Sequence, residues 1–111
     1  VKSAIVGEYV NEIEKQAFKP LKKMKKIYIR CGSKSKILYS KNGKFASRDC
    51  ANMSPKAFAG VNKNCIVTVK YYNKDKLSKS KIASQCKKIL MKYGLPKSTK
   101  VKVEYGYLIY A

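Results

Sequence analysis

Residues 74–95 constrain the fold of this chain more than any other stretch. Apolar side chains recur at Ile82, Cys86, Ile89, Leu90 and Tyr93, the stripe of a helix that buries one face. Gly94 follows the last periodic residue, Leu95 can supply the hydrophobic contact of a Schellman cap, and Pro96 blocks continuation. The β-branched run Ile66-Val67-Thr68-Val69 comes before this helix and Val101-Lys102-Val103 comes after it. The pattern predicts a strand, a crossover helix over residues 77–93 and a second strand, joined by a right-handed connection.

Other elements follow from shorter signals. Ser3 can cap a helix with Val6, Tyr9 or Val10, Ile13 and Ala17 facing inward, Phe18 at its edge, and Glu8, Glu12 and Glu14 on the other faces. Pro20 ends that helix. Residues 27–31 alternate as a half-buried strand with Ile27, Ile29 and Cys31 on one side. Asn42-Gly43 marks a hairpin between residues 37–41 and 44–47, across which Tyr39 and Phe45 can reach one another. Residues 48–64 are irregular, with Ser54-Pro55 opening a single turn around Ala57 and Phe58 that Gly60 closes. Residues 65–72 form a strand with Cys65, Val67, Val69 and Tyr71 facing one way. Residues 99–110 form the last strand, with Val101, Val103, Tyr105, Tyr107 and Ile109 together and a bulge at Gly106. The expected architecture is one α+β domain over residues 1–111. It has a small, mostly antiparallel sheet of four or five strands, two helices packed on one face, and a β-α-β crossover in the C-terminal half.

Charge narrows the function. The chain has 26 Lys and Arg against 6 Asp and Glu, a formal +20, yet 45% of its residues are hydrophobic. High charge without low hydrophobicity describes a folded basic protein, not a disordered tail. The first 14 residues hold Lys2 against Glu8, Glu12 and Glu14, so the remainder carries 25 bases against 3 acids. Such a field draws polyanions: nucleic acid, anionic lipid or acidic glycan. Only Arg30 and Arg48 are arginines. Lysine is a point charge without the bidentate fork that reads guanine or phosphate, which disfavours sequence-specific nucleic-acid recognition. Lysine bias can also arise from base composition. The densest cluster is Lys19, Lys22, Lys23, Lys25 and Lys26, extended by Lys34, Lys36, Lys41 and Lys44 around the hairpin. These are the candidate anion-binding residues, although a solvated linker and a lysine-guarded strand edge would look the same.

Cys31, Cys50, Cys65 and Cys86 contain no C-x-x-C pair, and the chain has no His, which disfavours a structural zinc site. Two disulfides in an oxidising compartment are the expectation, with Cys86 linked to Cys31, Cys65 or Cys50; four buried thiols are the competing view. The first residue, Val1, is consistent with removal of a signal peptide. No apolar run approaches transmembrane length.

Catalytic chemistry is sparsely supplied. Without His the usual general base and the Ser-His and Cys-His pairs are absent. Glu8 and Glu12 read as helix-surface charges, Asp75 as a helix-start residue, and Asp49 and Glu104 are isolated. No cofactor or metal is expected, and the chain reads as non-enzymatic. Nine tyrosines interleaved with lysine suggest a base-stacking platform, although strands also favour Tyr for packing. Tyr72 and Tyr110, out of phase with the apolar faces, are the aromatic surface candidates.

A short, lysine-rich chain with four Cys and two helices on a small sheet resembles, in layout, the small secreted killer toxins and host-directed effectors of fungi. Layout, charge and cysteines together lead to the expectation of a secreted, disulfide-stabilised virulence protein of toxin or effector type that attaches to a polyanion (an anionic membrane surface, a glycan or RNA) or to a host protein. An RNA- or single-strand-binding module and a catalytically degenerate small ribonuclease are the alternatives.

Overall fold

Alternation puts Ile27, Ile29 and Cys31 on one side of a strand and Val67, Val69 and Tyr71 on one side of another, and these two strands pair at the centre of the molecule. The computed structural model describes residues 3–7, 10, 12–21, 23–41, 43–48, 52–71 and 77–106. In chain order the elements are β1 (Ser3–Val6), β2 (Glu12–Ile13), β3 (Lys26–Gly32), β4 (Leu38–Lys41), β5 (Lys44–Ala46), β6 (Asn52–Met53), β7 (Ile66–Tyr71), α1 (Lys79–Lys92) and β8 (Lys100–Tyr105).

Six strands form one sheet in the order β5-β4-β3-β7-β8, with β1 also paired to β3. Every pairing in it is parallel except the β4–β5 hairpin. One edge of β3 is matched along Lys26–Cys31 by β7. Its other edge is shared: β1 takes Lys26–Ile29, and β4 takes only Cys31 and Gly32. That division explains how residues 33–37 alone connect two parallel strands, a link that ordinarily takes a dozen residues or more. The chain steps sideways onto a β4 that runs on past the end of β3. β2 and β6 form a separate two-stranded parallel ribbon.

α1 begins at Ser78, whose hydroxyl accepts from the Lys81 N–H, and buries Ile82, Cys86 and Leu90. It ends in a Schellman motif: Gly94 N–H donates to Met91 O and Leu95 N–H to Leu90 O, with Gly94 at φ +93. α1 touches both β8 and β5, the end strands, so the sheet curls around it as a half-barrel. The core lies on this inner side, where Ile27, Ile29, Leu38, Val67 and Val69 meet the helix stripe and Phe58. Phe58 is fully buried and stacks on Phe18, ring centroids 5.4 Å apart. Each fully buried side chain of this size contributes roughly 1.5–3 kcal/mol.

Three expectations are corrected. The sheet is mostly parallel and six-stranded, not small and antiparallel. There is one helix among the described residues, not two: the segment expected to be the first helix forms β1 and β2. Its inward positions Val6 and Ile13 are indeed buried, but from strands. A short isolated helix interrupted by Gly7 is marginal, and the free edge of β3 offers β-branched Ile5 and Val6 a full ladder of backbone hydrogen bonds. Third, Cys31, Cys65 and Cys86 are free, buried thiols and the fold is not disulfide-stabilised among the described residues. They pack as small hydrophobes inside the core. Within the hairpin, Phe45 and Tyr39 do not meet: Phe45 faces inward onto Tyr71, and Tyr39 pairs with Ala46 on the other side.

Candidate anion-binding face

Register assigns the residues of the outer side, opposite α1. Reading across β1, β3, β7 and β8, one row is Ser3, Lys26, Ile66 and Lys100; the next is Ile5, Tyr28, Thr68 and Lys102. Above them lie Arg30, Lys70 and Glu104, then Tyr39 beside Gly32, with Lys41 opposite Lys44 at the hairpin end. None of these residues belongs to the core cluster. The one helix among the described residues, α1, packs on the other side, against β5 and β8.

The face therefore gathers seven cations, Lys26, Arg30, Lys41, Lys44, Lys70, Lys100 and Lys102, around one acid, Glu104. Glu104 is claimed twice, by Lys70 Nζ at 3.2 Å and Lys102 Nζ at 3.4 Å. The hydrogen bond from Lys70, aided by Lys102, holds its carboxyl below the usual range. Lys41 and Lys44 sit directly opposite one another, an arrangement of like charges that weakens a hairpin. Next to them is an open depression of about 270 Å³ lined by Tyr39, Lys41, Lys44, Phe45 and Ala46. The Arg48 guanidinium lies 4.1 Å from the centroid of the Tyr39 ring. Its Nε donates to Ser35 O at 3.1 Å and its Nη2 to Ser33 O, so Arg48 anchors the 33–37 loop.

Two aromatic rings, Tyr28 and Tyr39, stand among these cations, both half-buried. Thr68 shares the face yet is 1% exposed, because its registered neighbours Tyr28 and Lys102 and its strand neighbours Ile66 and Lys70 are all longer.

The sequence candidates fall in two groups at opposite ends of β3. Lys23 and Lys25 are exposed just before it and Lys26 opens it; Lys34, Lys36, Lys41 and Lys44 lie beyond its far end. Seven strand residues, roughly 20 Å, separate them. Lys19 is exposed and lays its methylenes over Gly60, where an added Cβ would come within 2.8 Å. Lys22, Cys50, Tyr72 and Tyr110 lie outside the described residues, as do Glu8, Asp49, Asp75, Tyr107 and Ile109. Arg30, Lys70, Lys100 and Lys102, which join the two groups, and Tyr28 escaped the sequence reading. Their signal was the polar phase of three alternating strands, which only register makes into one surface.

Positive charge is not confined to this face, for Lys81, Lys88 and Lys92 are exposed on α1. Among the described residues the exposed large apolar side chains, Ile5, Met91 and Tyr105, lie on β1, α1 and β8. Among the described residues no helix is long and apolar enough to cross a membrane. Inside the core, Cys31 of β3 neighbours Cys86 of α1; interaction with that thiol, together with burial, pushes the Cys31 thiol far above its ordinary range. Burial alone raises Cys65. Neither is poised as a nucleophile. Comparison of the chain with protein-family models, curated proteins and solved structures gives no match.

Proposed function

We propose that this chain is a non-enzymatic basic binding protein whose partner is a polyanion held on the outer face of the sheet. The observation that carries the reading is the side of the mostly parallel sheet opposite α1, where register sets seven cations around Glu104. Parallel sheets normally have both faces covered, and their strands are then apolar on both sides. Here the inner side has α1, while the outer side carries the lysines of β3, β7 and β8, of which Lys70 and Lys102 share Glu104. A secreted toxin or effector is one setting for such a protein. With Cys31, Cys65 and Cys86 as thiols, the disulfide argument for an oxidising compartment falls away, so the proposal concerns the interaction and not the location.

The test is binding of a fluorescent polyanion, heparin or a 12-nucleotide oligo(U), as salt is raised from about 50 mM. Log affinity should fall linearly with log salt, with a slope of roughly 0.7 per single-strand phosphate engaged. Replacing Lys26, Arg30 and Lys100 by Gln should flatten that slope, and replacing Lys81, Lys88 and Lys92 on α1 should flatten it less. An equal effect from both sets would remove the outer face from the proposal. No binding of either probe at about 50 mM salt would remove the proposal itself. The same incubation, run on a gel, should leave the oligonucleotide intact.

A further inference from the structure

Tyr28 stands at the middle of β3 on the outer face, between two cations of its own strand. Lys26 and Arg30 stand two residues either side of it on the same face of β3, and Thr68 and Lys102 continue its row. Its other registered neighbour is Ile5, 41% exposed, so the row runs apolar, aromatic, small and basic from β1 to β8. Farther along the sheet Tyr39 repeats the arrangement, beside Lys41 and Lys44 and the depression they line. Rings spaced along a surface, each flanked by point charges, suit a ligand that alternates flat apolar groups with phosphates.

Resting on the polyanion reading above, we infer that the outer face binds single-stranded nucleic acid, with a base stacked on Tyr28 and its phosphates on Lys26, Arg30 and the lysines of β7 and β8. A base presents a π-face whatever its identity, so the recognition tolerates sequence, in keeping with lysines in place of base-reading arginine forks. A duplex keeps its bases stacked inside and offers Tyr28 only backbone. A sulfated glycan answers the charge but has no flat aromatic ring to stack. An anionic bilayer needs a continuous apolar patch to go beyond surface attraction, whereas among the described residues of this face Ile5 is the exposed large apolar side chain.

The measurement is competition for a fluorescein-labelled oligo(U) by unlabelled single strand, by duplex and by heparin, each matched in total charge, followed by titration of Tyr28→Ala and Tyr28→Phe. The single strand should compete better than the duplex on the unaltered protein, a comparison that needs no variant to fold. Tyr28→Ala should weaken oligo(U) by about 5- to 100-fold, the range for loss of one stacked base, and leave heparin affinity unchanged. Tyr28→Phe should restore oligo(U) binding. Duplex competing as well as single strand, or Tyr28→Ala weakening both probes equally, would overturn the stacking inference while leaving polyanion binding standing. Failure of every probe to bind would take down both.

Discussion

The most exacting test of the fold is a single methyl group at Gly94. This residue ends α1 at φ +93, where an L-residue is strained by roughly 1–2 kcal/mol. Its surroundings add a second cost. A Cβ there would lie 3.1 Å from Ala59 N and from Lys56 Cα, and 3.3 Å from Ala59 Cβ. Those first two atoms are backbone, and the turn they belong to is tied to the helix end by Phe58 N–H donating to Tyr93 O at 2.9 Å. Relief therefore has to shift either the Schellman cap or the turn that seats Phe58 in the core, an overpacking cost of about 1–3 kcal/mol. Gly94→Ala should lose about 2–5 kcal/mol in all, from a total that is typically 5–15 kcal/mol for a domain. At roughly 4 °C per kcal/mol for a chain of this size, the melting temperature followed by circular dichroism should drop by about 8–20 °C. Gly32→Ala is the internal control: its φ lies outside the left-handed region and nothing stands within 4 Å of an added Cβ. That variant should melt at or slightly above the parent, since alanine has less backbone freedom to lose. If Gly94→Ala melted within about 2 °C of the parent, the close docking of the helix end on the 55–60 turn would be refuted.

Other outcomes follow from the same contacts. Phe58→Ala, which removes a fully buried ring stacked on Phe18, should lower stability by about 3–5 kcal/mol by urea titration. Alkylation of unfolded protein prepared without reductant should label Cys31, Cys65 and Cys86 once each, while the folded protein reacts slowly; a Cys31–Cys86 peptide pair resistant to label would contradict the free thiols. Glu104→Gln should tighten binding of a polyanion and steepen its salt dependence, because Lys70 and Lys102 lose their intramolecular carboxylate. Its effect on stability should be below about 1 kcal/mol, as for other partly exposed pairs. Since the folded carboxyl is held below its ordinary range, the parent's advantage over Glu104→Gln is present above the unfolded carboxylate pKa and fades as pH falls through the lower folded value. Urea midpoints at about pH 6 and below about pH 3 check the sign.

Elements whose signals are local were legible in the sequence. The Ser78 cap lies outside the apolar stripe and moved the helix start to Lys79, but the stop at Gly94-Leu95-Pro96 and the inward positions Ile82, Cys86 and Leu90 are as the spacing implied. The turn between β4 and β5 sits at Gly43, with φ +75, and the 55–60 turn holds Ala57 and Phe58 in the core. Pairing was not legible. Val6, Val10 and Ile13 fit a helical stripe as well as two separate strands, and nothing within residues 3–13 says that β3, more than a dozen residues on, has half an edge to fill. The cysteines misled for a related reason: an even count at wide spacing is shared by disulfide frameworks and by core thiols, and only the folded structure, in which Cys31, Cys65 and Cys86 are free and buried, separates them.

The misreading of the sheet and the location of the candidate face have one cause. Strands that alternate apolar and polar residues ordinarily belong to antiparallel sheets with one wet side, whereas parallel strands ordinarily read as continuous apolar runs. β3 and β8 alternate and are nonetheless parallel, because among the described elements α1 and the Phe58 turn close their inner side; β7 between them, buried at Val67, Thr68 and Val69 alike, keeps the continuous run of a parallel strand. The alternation thus reports covering and not direction. The polar phase of each strand then carries more meaning than a solvated surface normally does. In-register parallel pairing sets Arg30 beside Lys70, and Lys26 and Lys100 either side of Ile66, so like charges are concentrated in rows where a hairpin could have staggered them or paired them with acids. Only one acid, Glu104, interrupts those rows. Self-repulsion of this kind lowers stability, and a bound polyanion relieves it, so ligand should raise the melting temperature more at low salt than at high salt. An equal rise at both would mean that the rows are not where the ligand sits.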